Sequence, residues 1–321
     1  MRKVDVVVCG GGLTGVAAAV QARRSGAQYV TLIEKNGYLG GMATAGLVMP
    51  FMPYCRQGVS REAGGQLIFG IFEEILNRLD EMGGLGPDRA TFDDECMKLV
   101  LQRMCAEAGV QLLLHAEVEQ VHVKGERLSA VRVSSVSGIE FLAAESFVDA
   151  TGDADLSARA GVPFHIGSPS TGMPQAMTMM LRVNNVDVER TRAYIRAHDE
   201  EFPRLEHDTH KVDRACRLSI GGSTRTTERA VAEGALSFSR RDVLFFETSN
   251  PGEVIINTSH LEGFDNLDPH SLTMAEIEGR RQANELYRMF RKYIPGFEEA
   301  RLLYTGPFVG VRSSRQIVGL Y

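Results

Sequence analysis

Three glycines near the start of the chain, Gly10, Gly12 and Gly15, limit the possible folds more than any other feature of the sequence. They follow a short β-rich run at residues 3–9, KVDVVVC, and open a helical run, LTGVAAAVQARRS. A second β-rich run, YVTLIE, comes next at residues 29–34. Strand, glycine turn, helix and strand in this order predict a βαβ unit with two parallel strands.

The spacing Gly10-x-Gly12-x-x-Gly15 has a physical reason in a unit that binds a dinucleotide. Gly10 allows the tight turn, Gly12 lets the backbone approach a pyrophosphate, and Gly15 lets the helix pack closely on the sheet. The helix N-terminus, at Leu13 and Thr14, presents N–H groups and a partial positive charge to the phosphates. A purely structural glycine turn is the alternative, and the flanking strand and helix favour the dinucleotide.

Glu34 ends the second β-rich run and is the acidic residue expected to accept hydrogen bonds from a ribose diol. The βαβ unit alone does not distinguish NAD from FAD. The loop after Glu34 favours FAD, because two adjacent glycines follow the acid and such a loop can run along an extended cofactor. An ordinary surface turn is the alternative. The residues expected to contact the cofactor in this loop are Lys35, Gly40, Gly41, Met42, Ala43 and Thr44.

The remainder of the first half reads as further α/β structure. Apolar spacing predicts amphipathic helices over 66–82 and 94–108, and a buried strand over 110–115. Alternation with period two over 118–148 predicts a three-stranded antiparallel meander. A separate apolar strand within SFVDATGDAD is expected to follow the meander and to end in a glycine turn.

The second half is organised differently. A strand is predicted over 177–183, and two more, LFFET and EVIINT, flank a turn at 250–252. Residues 187–215 are polar and show little periodicity. A long helix is predicted from Thr273 to Tyr293, with Thr273 as its cap and Glu276 completing a capping box.

Composition excludes several classes of function. The 321 residues carry a formal net charge of −6, which argues against nucleic acid and anionic membranes as partners. No apolar run has the length of about 18–20 residues that a membrane span needs. Five cysteines without framework spacing indicate reduced thiols and predict a cytoplasmic protein. We expect no metal site, and no sequence feature fixes the oligomeric state.

Several stretches resemble one family of flavoproteins. Residues 5–48, DVVVCGGGLTGVAAAV…LIEKNGYLGGMATAGLV, are similar to FAD-dependent oxidoreductases of the glutathione-reductase-like superfamily, and most similar to a bacterial branch sometimes labelled xanthan-lyase-like. The resemblance implies non-covalent FAD and contacts near its pyrophosphate and ribityl chain from Ala150, Thr151, Gly152 and Asp153. It also implies that the backbone of Val118 contacts adenine.

The resemblance implies a fold class and a division of the chain. We expect an α/β fold, with a Rossmann-like FAD-binding domain that carries a β-meander and an inserted, mixed α+β substrate domain. The expected boundaries are 1–164 for the FAD domain, 165–304 for the substrate domain and 305–321 for a segment that returns to the FAD domain. That last segment reads as truncated, and the chain alone is expected to hold FAD weakly.

Catalytic candidates lie in the second half. Gly310-Val311-Arg312-Ser313-Ser314-Arg315 is similar to the family's GxRESR stretch, with Ser313 in place of its Glu. Arg312 could bind a carboxylate or stabilise reduced flavin, with a structural ion pair as the alternative. His260, after EVIINTS, could act as a general acid or base or be a structural histidine.

The function predicted is therefore FAD-dependent hydride transfer between flavin N5 and a small molecule, with an anion as a candidate. Two alternatives stay open at this point. One is an incomplete, non-catalytic flavin-binding remnant, and the other is a flavin-dependent enzyme that modifies nucleic acid. The acidic composition argues against the second.

Overall fold

The computed structural model describes residues 2–59, 61, 63–312 and 314–320. Ser313, expected in the return segment, therefore lies outside the described residues. The strands are β1 Arg2–Cys9, β2 Val30–Glu34, β3 Gln111–Leu114, β4 Ala116–Lys124, β5 Arg127–Ser135, β6 Gly138–Asp149, β7 Phe164–Ile166, β8 Leu181–Asn184, β9 Ser219–Gly222, β10 Val243–Glu247, β11 Val254–Ile256, β12 Arg301–Thr305 and β13 Arg315–Ile317. The α-helices are α1 Leu13–Arg24, α2 Ile71–Glu81, α3 Asp94–Ala108, α4 Asp155–Arg159, α5 Val188–Ala197, α6 Lys211–Arg214, α7 Thr224–Ala232 and α8 Pro269–Tyr293.

The first sheet has six strands in the order β3-β2-β1-β6-β5-β4. Strands β3, β2, β1 and β6 pair in parallel, whereas β5 pairs antiparallel with both β6 and β4. Helices α1, α2 and α3 cover one face, and their apolar side chains form a buried cluster with those of the parallel strands. The predicted fold class, a Rossmann-like α/β unit with a β-meander, is confirmed.

The second sheet has five strands in the order β12-β8-β11-β10-β9. All of its described pairings are antiparallel. The long helix α8 packs on it through buried residues that include Leu286, Met289 and Phe290. Phe290 packs edge to face on Phe245 and Phe297, with ring centroids 5.8 and 5.0 Å away, so aromatic packing anchors the helix to the sheet.

A buried cluster of charged residues joins the second sheet to a helix that covers the first sheet. Arg182 of β8 donates to Asp94 of α3 at 2.5 Å and lies 3.2 Å from Glu253. Arg182 and Asp94 are both buried, so each charge depends on the other for compensation. This contact fixes the antiparallel sheet against the helices of the parallel sheet.

Three predictions about helices are wrong, each for a local reason. The helix expected from residue 66 begins at Ile71, because Gln66 forms a bridge with Cys55 and the Leu67 N–H donates to the Tyr54 carbonyl. Helix α8 begins at Pro269, because Asp268 caps it by accepting from the N–H groups of His270 and Ser271. The expected capping box at Thr273 is absent from the described structure.

The region expected to lack periodicity, 187–215, contains α5, capped by Asp187, as well as α6. Tertiary packing decides this case, because Ile195 of α5 is fully buried against the second sheet's core.

Two strand predictions also change. The separate strand expected after the meander is the end of β6, which pairs with β1 without interruption from Arg2–Leu142 to Cys9–Asp149. The strand expected over 177–183 is β8, which begins only at Leu181. Met177 and Thr178 form isolated bridges to Leu261 and Gly310 instead. Within the described residues, no helix combines the length and the apolar character that crossing a membrane requires.

Candidate functional site

The glycine turn between β1 and α1 is shaped by close backbone contacts. Gly10 has φ of 100°, and a Cβ there would lie 2.2 Å from the Ala150 carbonyl oxygen. A Cβ on Gly15 would lie 1.8 Å from the Gly10 carbonyl oxygen. Both positions therefore require glycine, because the start of α1 packs directly on the carboxyl ends of β1 and β6.

Gly12 differs from these two glycines, because its missing side chain leaves open space. No described atom lies within 4 Å of the position that its Cβ would take. Its φ of −66° and ψ of −179° are open to any residue, so the backbone does not demand glycine here. A side chain added at Gly12 would enter the cavity above the turn. That is the place where the backbone is expected to contact the ligand.

That cavity has a volume of about 490 Å³ and collects most of the predicted cofactor residues. The predicted residues that line it are Gly10, Gly12, Leu13, Thr14, Glu34, Lys35, Gly40, Gly41, Met42, Ala43, Ala150, Thr151, Gly152 and Asp153. Seven further residues that line it were not predicted from the sequence: Asn36, Asn266, Leu272, Glu276, Phe308, Val309 and Val311. We call this space the glycine-lined cavity.

A smaller cavity of about 60 Å³ adjoins it and shares Gly10, Glu34, Lys35 and Thr151 with it. Val118 lines this smaller space, at the end expected to hold adenine. Two predicted residues line neither cavity. Gly15 packs beneath the turn, and Thr44 is buried, its hydroxyl donating to the Leu39 carbonyl at 2.9 Å.

Glu34 connects β2 to the glycine turn. One carboxylate oxygen accepts from the Gly11 N–H at 2.6 Å, and the other accepts from the Asn36 N–H at 2.8 Å and its side-chain amide at 2.7 Å. The side chain is 7% exposed yet still lines both cavities. Glu34 thus holds the turn in shape and keeps a carboxylate at the place expected for a ribose.

Asp149 organises the turn that follows β6; it begins the stretch DATGD in the sequence but was not among the predicted site residues. Its carboxylate accepts from the N–H and hydroxyl of Thr151 and from the N–H and hydroxyl of Ser157, at 2.6–3.2 Å. Burial alone raises the pKa of Asp149, but the bonds from Ser157 and Thr151 outweigh it and hold the pKa below 3.8. Asp149 therefore stays charged and fixes the segment 150–153 against the cavity.

The glycine-lined cavity fits FAD on three observations. Its floor is open at Gly12. Within the described structure, no side chain caps α1 and its first turn has no acidic residue, so backbone N–H groups and the positive end of the helix face the cavity. A buried carboxylate, Glu34, lies beside it. The residues that would hold the pyrophosphate are thus those of the turn, with Glu34 at the ribose.

A third cavity has a volume of about 670 Å³. Both predicted catalytic residues, Arg312 and His260, line it. Arg204 and Arg240, which the sequence analysis missed, line it as well. We call this space the arginine-lined cavity.

The segment 309–312 takes part in lining both cavities. Val309 and Val311 line the glycine-lined cavity, whereas Arg312 lines the arginine-lined cavity. The segment is held in place, since Gly310 exchanges backbone hydrogen bonds with Thr178 and the Arg312 carbonyl accepts from Asn266. One short, fixed stretch of chain therefore contributes to both spaces.

His260 is fixed through its backbone. The side chain of Gln282, buried on α8, accepts from the His260 N–H at 2.8 Å and donates to the His260 carbonyl at 3.1 Å. The imidazole Nε2 lies 3.4 Å from the Glu262 carboxylate. Gln282 thus sets the position of the imidazole on the cavity wall.

Arg315 stands in the same stretch of sequence as Arg312, but its contacts are structural. Its guanidinium donates to the Asp153 carbonyl and to the Asp155 carboxylate, both at 2.8 Å.

His207 contacts Asp199, and His210 contacts Asp213. Among the described residues, no group of three His, Cys, Asp or Glu side chains is arranged to hold a metal ion. The cysteines are free thiols, and burial raises the pKa of Cys9, on β1, to about 12.

Residues 5–321 match the model of a family described as FAD dependent oxidoreductase. The chain belongs to this family. The family is one of FAD-dependent oxidoreductases, so the cofactor of this flavoprotein is FAD. The prediction of an FAD-dependent oxidoreductase is confirmed at this level.

Solved structures show the same fold at low sequence identity. A geranylgeranyl bacteriochlorophyll reductase-like protein from Thermoplasma acidophilum has a TM-score of 0.52 and 16% identity, over 97% of this chain and 66% of its own. L-proline dehydrogenase from P. horikoshii has a TM-score of 0.54 and 14% identity, over 96% of this chain and 81% of its own. Glycerol-3-phosphate dehydrogenase from Bacillus halodurans, complexed with FAD, has a TM-score of 0.52 and 14% identity, over 97% and 57%. The chain thus spans just under two thirds of the Thermoplasma protein.

Proposed function

We propose that this flavoprotein transfers a hydride between flavin N5 and a small anionic molecule bound in the arginine-lined cavity. The observation that carries the proposal is that one short segment, 309–312, lines both cavities, with Val309 and Val311 at the FAD-fitting cavity and Arg312 at the arginine-lined cavity. A volume of about 670 Å³ lies in the range of small-molecule sites, roughly 300–1,000 Å³. Hydride transfer needs the substrate carbon in contact with flavin N5, so we propose that the two ligands meet at this segment.

FAD, when bound, supplies an acceptor or donor of hydride at N5. The chain's own residues then have separate tasks. Arg312 attracts and orients the negative substrate through a planar fork of donors that is charged at any working pH. His260, held in place by Gln282, takes the proton that leaves a substrate hydroxyl or amine during oxidation, or returns it during reduction.

The finer classification also belongs to this proposal. The motif at residues 5–48 supports the xanthan-lyase-like branch of the glutathione-reductase-like superfamily. The division into 1–164, 165–304 and 305–321 agrees with the position of the two large sheets, which fall on either side of residue 165. We propose a small molecule rather than nucleic acid as the partner and the cytoplasm as the compartment, from the net charge and the free thiols.

Anaerobic flavin spectroscopy tests the proposed reaction. FAD-loaded protein is mixed with hydroxy acids, amino acids and saturated dicarboxylates, and dithionite-reduced protein is mixed with unsaturated acids. We expect at least one anionic compound to bleach the flavin absorbance, or to restore it, and the matching neutral amide to do neither. If dithionite reduces the flavin but no anion changes its redox state in either direction, the proposal is wrong.

A further inference from the structure

The arginine-lined cavity holds more guanidinium groups than carboxylates can compensate. Arg204 forms an ion pair with Asp242 at 2.6 Å. Glu262, the acidic residue that lines the cavity, contacts His260. For Arg240 and Arg312, the described part of the chain offers no carboxylate within ion-pair distance. Within the described residues, these two permanently charged groups thus face one cavity without a carboxylate to form an ion pair with.

Arg240 shows the consequence of this arrangement most clearly. Its side chain is half-buried, and its Nε atom is buried without a hydrogen-bond partner among the described residues. Burial lowers the pKa of Arg240, the charges of Arg204 and Arg312 lower it further, and Asp242 opposes the shift. A guanidinium that is partly desolvated next to like charges destabilises a fold unless an anion compensates it.

The three arginines reach this cavity from separate parts of the chain. Arg204 lies in a short 3-10 turn after α5, Arg240 precedes β10, and Arg312 follows the bridge between Thr178 and Gly310. Local structure therefore does not account for their proximity. The wall beside them adds neutral polar groups that can donate hydrogen bonds, among them Ser168 and Asn257.

We infer that Arg240 and Arg312 bind the two negative charges of one doubly charged organic anion, and that Arg204, held by Asp242, borders the same site. The inference deepens the proposed function by giving its substrate class, and it rests on that proposal only for the reaction. Dicarboxylates and phosphate monoesters share the required chemistry, since both present planar or tetrahedral oxyanions that a guanidinium fork can bind.

Calorimetric titration tests the inference without any turnover. FAD-loaded protein is titrated at constant ionic strength with succinate, with succinamate, and with methyl phosphate. Succinamate has the size of succinate and one charge fewer. We expect succinate or methyl phosphate to bind at least about tenfold more tightly than succinamate, and the tighter dianion identifies the source of the charges.

Variants separate this site from general positive charge. Arg240→Gln and Arg312→Gln should each weaken dianion binding by about tenfold or more and leave succinamate binding within about threefold. Arg241→Gln is the matched control, since Arg241 is exposed and lies outside the cavity lining. Arg240→Lys keeps the charge and should restore part of the affinity. Unchanged FAD content and circular dichroism show that each variant is folded.

Three results would overturn the inference: succinate and succinamate binding with equal affinity, Arg241→Gln weakening binding as much as Arg240→Gln, or neither dianion binding at about 10 mM. Because flavin redox chemistry is not measured here, tight dianion binding without any flavin bleaching would overturn the proposed reaction and leave the anion site standing.

Discussion

The glycine-lined and arginine-lined cavities are built in opposite ways. The first depends on three short glycine-containing stretches within 10–14, 40–43 and 150–153. The second consists of side chains that come from parts of the chain as distant as Arg204 and Arg312. Binding at the glycine stretches depends on the absence of side chains. Binding in the arginine-lined cavity depends on which side chains are present. The two should therefore respond differently to substitution.

The largest effect is expected at the glycine turn. Gly12→Val should abolish FAD binding while the apoprotein keeps its melting temperature, because the new side chain enters open space that the cofactor needs. Gly15→Val should instead unfold the protein, because its Cβ would lie 1.8 Å from a backbone oxygen. Flavin content and thermal unfolding of the two purified variants check this contrast. Equal behaviour of both variants would refute the distinction between a binding glycine and a packing glycine.

The next effect is expected in the arginine-lined cavity. Arg312→Lys should keep the fold and the bound FAD but lower kcat/KM by about two orders of magnitude, because lysine keeps the charge and loses the planar fork. Steady-state kinetics with the anion identified by flavin bleaching measures it. Arg241→Lys serves as the control for a neighbouring arginine outside the cavity. Normal turnover by Arg312→Lys would assign Arg312 a structural role.

A smaller effect is expected at Glu34, because its side chain lines the glycine-lined cavity and also supports the backbone of the glycine turn. Glu34→Ala should weaken FAD binding by about 2 kcal/mol, since it removes a charged acceptor from the ribose position and from the Gly11 N–H. Equilibrium titration with FAD measures this change. Glu140→Ala, at an exposed site on β6, should bind FAD as the parent protein does. Unchanged affinity in Glu34→Ala would move the ribose contact elsewhere.

The smallest effect concerns Asp149 and depends on pH. Because its folded-state pKa is depressed below 3.8, its stabilising contribution is complete above that value and is lost as the pH falls through the folded pKa. Asp149→Asn should therefore reduce the free energy of unfolding by about 1 kcal/mol at pH 7, with the difference shrinking below pH 3.8. Urea unfolding at several pH values checks this, and a difference that grows in acid would contradict it.

The same contrast explains how much the sequence alone could predict. The glycine turn, α1 and Glu34 form one continuous pattern, so local spacing was enough to place them and to favour FAD. Arg204 and Arg240 follow no pattern, and only the folded chain brings them to Arg312. Residues 66–70 show the same limit on a small scale, because helical spacing there is overridden by hydrogen bonds to the segment near Tyr54.

The part that the segment 309–312 plays in both cavities was beyond sequence reasoning for the same reason. Val311 stands in the stretch that is similar to the family's motif, but the place of Val309 and Val311 at the glycine-lined cavity depends on the bridge from Gly310 to Thr178. Gln282 is likewise one polar residue on a long helix, and its hydrogen bonds to His260 exist only after α8 has packed.

A crystal structure of the protein with FAD and a bound dianion tests the central claim most directly, namely that the cofactor and the substrate meet at the segment 309–312. We predict the pyrophosphate at Gly12 and Leu13, the flavin ring against Val309 and Val311, and the anion on Arg240 and Arg312. A flavin ring remote from this segment, or an anion bound outside the arginine-lined cavity, would contradict the account.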